Sequence, residues 1–393
     1  MKNRLLHTPD GMRDIYNGEC ERKQALEAGL SGVMRSHGFR MIETPSLEFF
    51  DVFSKEVGTI PSSELYRFFD REGNTLVLRP DFTPSIARAA SKYFPLETEP
   101  VRLCYAGNTF VNSTSYQGRL CENTQLGAEL IGDGSADADA EMIAMAVRML
   151  LEAGLTDFQI SVGNVRFLGS LLEEAGIRDD DAEELTRLLS NRNSFGAGQL
   201  LDRLHVEGPV RKVLEALPGL VGSRDVLDKA RALSEGLAAC EALDRLSLIY
   251  DILDLYGVAG HISFDLGMTS RYMYYTGVIF RGYTYGVGEA VIKGGRYDGL
   301  LAHFGKPSPS IGFVAVIGLI MNALERQSAV PGEGPQRILI IYGPDSRPKA
   351  AALAAKLRGE GESVAMRVLG PGEDAKEVAA RSEGNYREII EAR

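Results

Sequence analysis

Tryptophan is absent from the 393 residues, so no binding role can rest on an indole platform. Cysteine is scarce: Cys20, Cys104, Cys121 and Cys240 are the only four, and no two form a C-x-x-C clip. That spacing excludes a zinc ribbon and reads as small buried hydrophobes in a reducing compartment. The five histidines, His7, His37, His205, His261 and His303, never fall at i, i+3 or i, i+4 spacing, which argues against a metal site. Nowhere do 18 apolar residues run uninterrupted, so no transmembrane helix and no membrane partner are expected. The charged start, Met1 to Asp10, lacks the apolar segment of a secretory signal, and a cytoplasmic protein is expected. Basic residues are the minority, 43 against 54 acidic ones, for a net charge of −11. Gripping a phosphodiester backbone relies on basic patches, so nucleic acid is not an expected partner. A P-loop, a G-x-G-x-x-G turn after a strand and a G-x-S-x-G elbow are all missing, and no cofactor is expected.

What is present is ordinary globular composition, 44% hydrophobic and 25% charged, in a chain long enough for two or three domains at ~150 residues each. Leu26, Leu30, Val33 and Met34 share one face of a predicted helix over 17–36, stopped by Gly38. Strands are predicted at Phe39–Ile42, Thr75–Leu78, Val101–Ala106 and Asn123–Ile131, then a helix over Ala138–Ala153 and a strand through Phe158, Ile160 and Val162. From about 165 to 256 the pattern turns Leu-rich and helical, as in an all-helical insertion within an α+β domain. Strands return at Ile262–Leu266, Arg271–Arg281 and Glu289–Lys293, followed by a helix over Gly312–Arg326. Residues 327–335 crowd Pro, Gly and Ser and read as a linker. Beyond it, residues 336–393 predict a small α/β module of a strand (337–342), a helix (349–359), a strand (363–369) and a last helix. Between Pro331 and Arg393 it holds 10 basic and 10 acidic residues and is neutral.

Three stretches carry polar residues a plain strand would not choose. In Asn123–Ile131, alternation puts Gln125, Gly127 and Glu129 on one face, with Gln125 and Glu129 ~13 Å apart. Such a face suits an ammonium or imidazole group, or simply solvent. In Arg79–Pro84 the two prolines favour extension, so Arg79, Asp81 and Thr83 share a face, and Asp81 suits an α-amino group. The alternative is a charged loop ahead of a helix starting at Ser85. In Lys293–Leu300 the paired glycines allow a tight turn and close backbone approach.

Six motifs, in order, resemble the core of the class II histidyl-tRNA synthetases. They are Pro9–Asp14 (P-D-G-M-R-D), Gly38–Pro45 (G-F-R-M-I-E-T-P), Leu78–Thr83 (L-R-P-D-F-T), Gln125–Glu129 (Q-L-G-A-E), the Tyr274-Tyr275 pair and Gly294–Asp298 (G-G-R-Y-D). The resemblance covers Thr8–Glu325. It implies an antiparallel six-stranded sheet flanked by helices, a homodimer with Pro45 at its interface, and a histidine pocket at Asp81, Thr83, Gln125, Glu129, Tyr275 and Tyr297.

The departures from that family decide the expected function. Adenylation needs cations on the triphosphate. The motif 2 arginine falls at Val111, after Phe110, the motif 3 arginine at Ile320, and the histidine-specific arginine at Ser270, beside Arg271. Valine and isoleucine cannot neutralise phosphate. The C-terminal module is also shorter than an anticodon-binding domain and lacks net positive charge. Asp81–Arg88, Glu129–Asp133, Ala136–Glu141 and Tyr274–Gly277 resemble instead the regulatory subunits of ATP phosphoribosyltransferase, a non-catalytic, synthetase-like family of histidine biosynthesis. Arg281 is a departure from that family, whose members usually place Glu there. The resemblance implies a short-form ATP phosphoribosyltransferase catalytic subunit as partner, a homodimer within a hetero-oligomer, and histidine as effector. Asp81 and Glu129 would take its ammonium, and Gln125, Thr83 and the tyrosines the other polar contacts. The alternative is a divergent histidyl-tRNA synthetase or an amino-acid ligase.

Overall fold

The computed structural model describes residues 4–53, 60–95, 98–112, 120–270, 274–327, 337–382 and 385–393. The chain divides into two compact units, Met1–Ile15 with Lys23–Val330 and Tyr16–Arg22 with Pro331–Arg393. No helix among the described residues is long and apolar enough to cross a membrane.

Among the described residues nine strands build the main sheet of the larger unit, and the middle six are antiparallel throughout, as the resemblance implies. Their order is Val101–Phe110, Glu122–Ile131, Ser310–Val316, Ile292–Arg296, Val278–Thr284 and Phe158–Asn164. Arg40–Met41 pairs in parallel at one side, and Ile262–Asp265 and Val221–Gly222 extend the other. Because Glu122–Ile131 lies beside Ser310–Val316, motifs almost 190 positions apart become neighbours.

The two-residue period of these strands separates the faces. Leu126, Ala128, Leu130, Phe280, Ile292, Ile311, Phe313 and Ala315 enter the large core, where the helices Ala136–Glu152, Cys240–Leu255 and Ile317–Arg326 cover the sheet. On the other face Leu103, Tyr105, Ile131 and Tyr297 pack against the helix Thr83–Tyr93 and the turn Leu300–Phe304. The residues left between, Gln125, Gly127, Glu129, Gly312 and Lys293, floor the site described below.

Several expected elements shift. Gly312–Arg326 is not one helix: Ser310–Val316 is a central strand and the helix starts at Ile317. A strand buried on both faces is continuously apolar, and periodicity cannot tell it from a buried helix. Lys293–Arg296 is strand rather than turn. Its glycines serve packing, since a Cβ on Gly294 would strike Phe280 and Phe313, and one on Gly295 would strike Tyr275 and Ile279. The expected strand over Arg271–Arg281 starts only at Val278; residues 271–273 lie outside the described residues, as does most of the expected linker. The insertion holds six helices between Val165 and Leu255 but is not purely helical, because Val221–Gly222 joins the sheet edge. The predicted first helix, Asn17–Ser36, is present, with Gly38 in the left-handed region behind it.

The smaller unit holds three parallel strands, Val364–Val368, Ile338–Tyr342 and Glu388–Ala392. Ile340 faces the helix Arg347–Gly359, while Leu339 and Ile341 face Ala375–Ser382. The last strand has no sequence signal, since Glu388-Ile-Ile-Glu-Ala392 holds only two adjacent strand formers.

One buried ion pair ties helix to sheet. Arg296 Nε donates to Asp139 Oδ1 at 2.8 Å, Arg245 Nε donates to Asp139 Oδ2 at 2.8 Å, and Asp139 has no solvent exposure. Arg296 also donates to the Asp133 carbonyl and to Asp298, and Arg245 to the carbonyls of Gly134 and Ser135. Removing one partner strands a buried charge, so Asp139→Ala is expected to lower unfolding free energy by about 3–5 kcal/mol. Urea denaturation checks this, and a loss below about 1 kcal/mol would assign the clamp no structural weight.

Candidate functional site

Arg79 fixes the loop that enters the site. Its guanidinium lies 3.9 Å over the Phe82 ring and donates to the carbonyls of Asn108 and Thr44, and Phe82 stacks on Tyr105 at 4.3 Å. Arg79 is therefore a structural clamp and does not share a binding face with Asp81 and Thr83. The chain turns into helix at Thr83, two residues before Ser85, which aims Asp81 and Thr83 over the strand Glu122–Ile131.

Beneath them lies a small cavity of about 60 Å³, open to solvent on one side. Asp81, Thr83, Gln125, Tyr274, Tyr275, Lys293 and Tyr297 give it polar walls, and Val314, Val316 and Gly312 complete the floor with the backbone. Of the six residues expected in the pocket, Asp81, Thr83, Gln125, Tyr275 and Tyr297 line it. Glu129 sits just behind: Thr83 Oγ1 donates to its Oε1 at 2.8 Å, and the Tyr297 hydroxyl donates to its Oε2. A side chain at Gly312 would overlap the Glu129 carboxyl, which explains the glycine opposite it.

Electrostatically the site is rich in acceptors. Burial pushes the Glu129 carboxyl up to about 8, against the pull of the Tyr297 and Thr83 hydroxyls, and nearby Asp81 adds to the rise. Burial also raises Asp81, whose Oδ2 accepts from the Tyr274 hydroxyl at 3.1 Å. Tyr297 is held well above the ordinary phenol range by burial and by Glu129, so it stays a donor. The Oε1 atom of Gln125 is buried and accepts no hydrogen bond from the described residues. A buried amide oxygen without a donor is costly, and an incoming N–H would satisfy it.

Sequence reasoning missed Tyr274, Lys293, Val314 and Val316. Tyr274 was legible as half of a Tyr pair, of which only Tyr275 was assigned. The valines were hidden by reading Ser310–Val316 as helix, and Lys293 by reading the glycines after it as a turn. The counted phosphate positions are set apart from this wall. Val111 extends the hairpin of strands through its N–H to the Cys121 carbonyl, and Ile320 is wholly buried in the main core. Ser270 is described, while Arg271, Gly118 and Arg119 lie outside the described residues. Arg281 faces the same side of the sheet as Lys293, opposite it in register, and donates to the Thr269 carbonyl.

Residues 11–318 match the family model described as histidyl-tRNA synthetase. Among curated proteins, the ATP phosphoribosyltransferase regulatory subunit of Acetivibrio thermocellus is 38% identical over 366 residues, 93% of this chain and 87% of its own. That of Thermoanaerobacter pseudethanolicus is 36% identical over 387 residues, 98% of this chain and 99% of its own. A solved structure described as an ATP phosphoribosyltransferase regulatory subunit/histidyl-tRNA synthetase from Bacillus halodurans aligns with a TM-score of 0.87 at 32% identity, covering 99% of this chain and 98% of that one. Histidyl-tRNA synthetase from Nostoc aligns with a TM-score of 0.79 at 19% identity, over 97% and 90% of the two chains, a likeness of fold alone.

The buried carboxyl predicts a pH effect of definite sign. An unfolded glutamate titrates near ~4.3, so folding raises the affinity of Glu129 for its proton. Its contribution to stability is full below that pH, falls as pH climbs toward about 8, and is constant above. Glu129→Gln removes this dependence. Urea denaturation at pH 5, 6.5 and 8.5 should show wild type losing up to a few kcal/mol relative to the variant as pH rises. Parallel curves would mean that no proton is held there.

Proposed function

The chain belongs to the ATP phosphoribosyltransferase regulatory subunit family, built on the histidyl-tRNA synthetase fold, and we propose that it activates a short-form ATP phosphoribosyltransferase catalytic subunit and senses histidine. It performs no chemistry of its own within that glycosyltransferase complex. The observation that carries the sensing role is the pocket itself: a small polar cavity with a buried carboxylate, a Gln125 oxygen that accepts nothing from the described residues, and tyrosines packed at steep angles to one another. Those groups suit the ammonium and ring N–H groups of histidine.

Asp81 takes the ammonium, with Glu129 behind it holding Thr83 and Tyr297 in place. Gln125 accepts from the ligand, and Tyr275 and Tyr297 bound its ring. Adenylation is lost because Val111 and Ile320 stand where a synthetase carries cations on ATP, and no nucleic acid is bound. The core, residues 1–326 with an insertion near 165–256, carries the pocket, and residues 336–393 form a neutral module in place of an anticodon-binding domain. Two copies pair through the segment around Pro45, where Met41, Leu47 and Phe49 are exposed apolar side chains, and the dimer enters a hetero-oligomer. It works in a reducing cytoplasm, where its four cysteines stay thiols.

Mixing the purified chain with a short-form catalytic subunit should raise turnover of ATP and phosphoribosyl pyrophosphate severalfold. Unchanged turnover overturns the regulatory reading. Histidine-dependent pyrophosphate exchange by the chain alone would restore the synthetase alternative.

A further inference from the structure

We propose that Lys293 anchors the carboxylate of the ligand, so that the pocket selects an intact α-amino acid over the corresponding amine or amino alcohol. The inference rests on the pocket being the amino-acid site, and it assigns a specificity-determining residue within it.

Lys293 is the sole cation among the described residues that line the cavity, and Asp81 is the anion lining it. Register fixes where they stand. Lys293 pairs with Val314, and Val314 with Gly127, all on the open face. Lys293 is therefore two strands, roughly 10 Å, from the Gln125–Glu129 strand over which Asp81 and Thr83 sit. The positive and negative ends of the cavity are thus separated across the sheet rather than intermixed.

A second cation reinforces this polarity. Arg281 is directly opposite Lys293 on the neighbouring strand, and like charges so placed repel. Arg281 is drawn aside to the Thr269 carbonyl and toward Asp265. A zwitterion laid with its ammonium on Asp81 and its carboxylate on Lys293 satisfies both ends together, whereas an amine satisfies one. A charge-assisted contact of this kind is worth about tenfold or more in affinity.

Calorimetric titration of the full chain with L-histidine, L-histidinol and histamine tests this. Wild type should bind histidine at least about tenfold more tightly than the two analogues lacking a carboxylate. Lys293→Met should bring histidine down to the level of histidinol while leaving histidinol within about twofold, and Lys293→Arg should restore the preference. Equal wild-type affinity for the three ligands overturns the inference even without a folded variant, as does a preference that survives Lys293→Met. A different failure marks the underlying reading: if wild type binds no histidine, or Asp81→Asn leaves histidine affinity unchanged, the pocket is not the amino-acid site.

Discussion

The pairing of Asp139 with Arg296 is the constraint on which the site depends. Tyr297 directly follows Arg296, the last residue of the strand Ile292–Arg296, and the two side chains pack on opposite faces of the sheet. Arg296 is locked beneath the helix Ala136–Glu152, and Tyr297 is thereby presented upward to Glu129. Glu129 in turn holds Thr83, the first residue of the helix that carries Asp81 into place. One buried charge pair on the helical side thus sets the position of polar groups on the open side, through a strand too glycine-rich to be held by its own side chains.

The open face then works by restricted solvation. Two carboxyls, Asp81 and Glu129, are taken out of water, and burial raises both. Hydroxyls of Tyr274, Tyr297 and Thr83 supply the donors that a cation would otherwise provide. Such an arrangement holds its shape without ligand yet stays short of positive charge at one end. Lys293, two strands away, and Arg281, three strands away, give the opposite bias. On the reading proposed above, a fold that serves aminoacyl chemistry elsewhere works here in recognition.

Much of this was legible in sequence, and what was not has physical causes. Alternation in Gln125-Leu-Gly-Ala-Glu129 gave the correct face for every residue, because one side of that strand is core and the other polar. The ends of the first helix were marked by its apolar face and by Gly38. The strand Ser310–Val316 defeated the same reasoning, since burial on both sides erases the period. The pair Gly294-Gly295 misled because glycine has two uses, turning and close packing, and only the neighbours Phe280, Phe313 and Tyr275 reveal which applies. The Asp139 clamp could not be foreseen from spacing, as its two arginines lie more than 100 positions away.

The central claim is that the open-face pocket is where histidine acts on the assembled complex. The direct measurement is histidine inhibition of ATP phosphoribosyltransferase turnover in complexes assembled with wild-type chain and with Asp81→Asn. The account predicts that both complexes are active and that the variant needs at least about tenfold more histidine for half-inhibition. Identical inhibition curves would place the effector site elsewhere and contradict it.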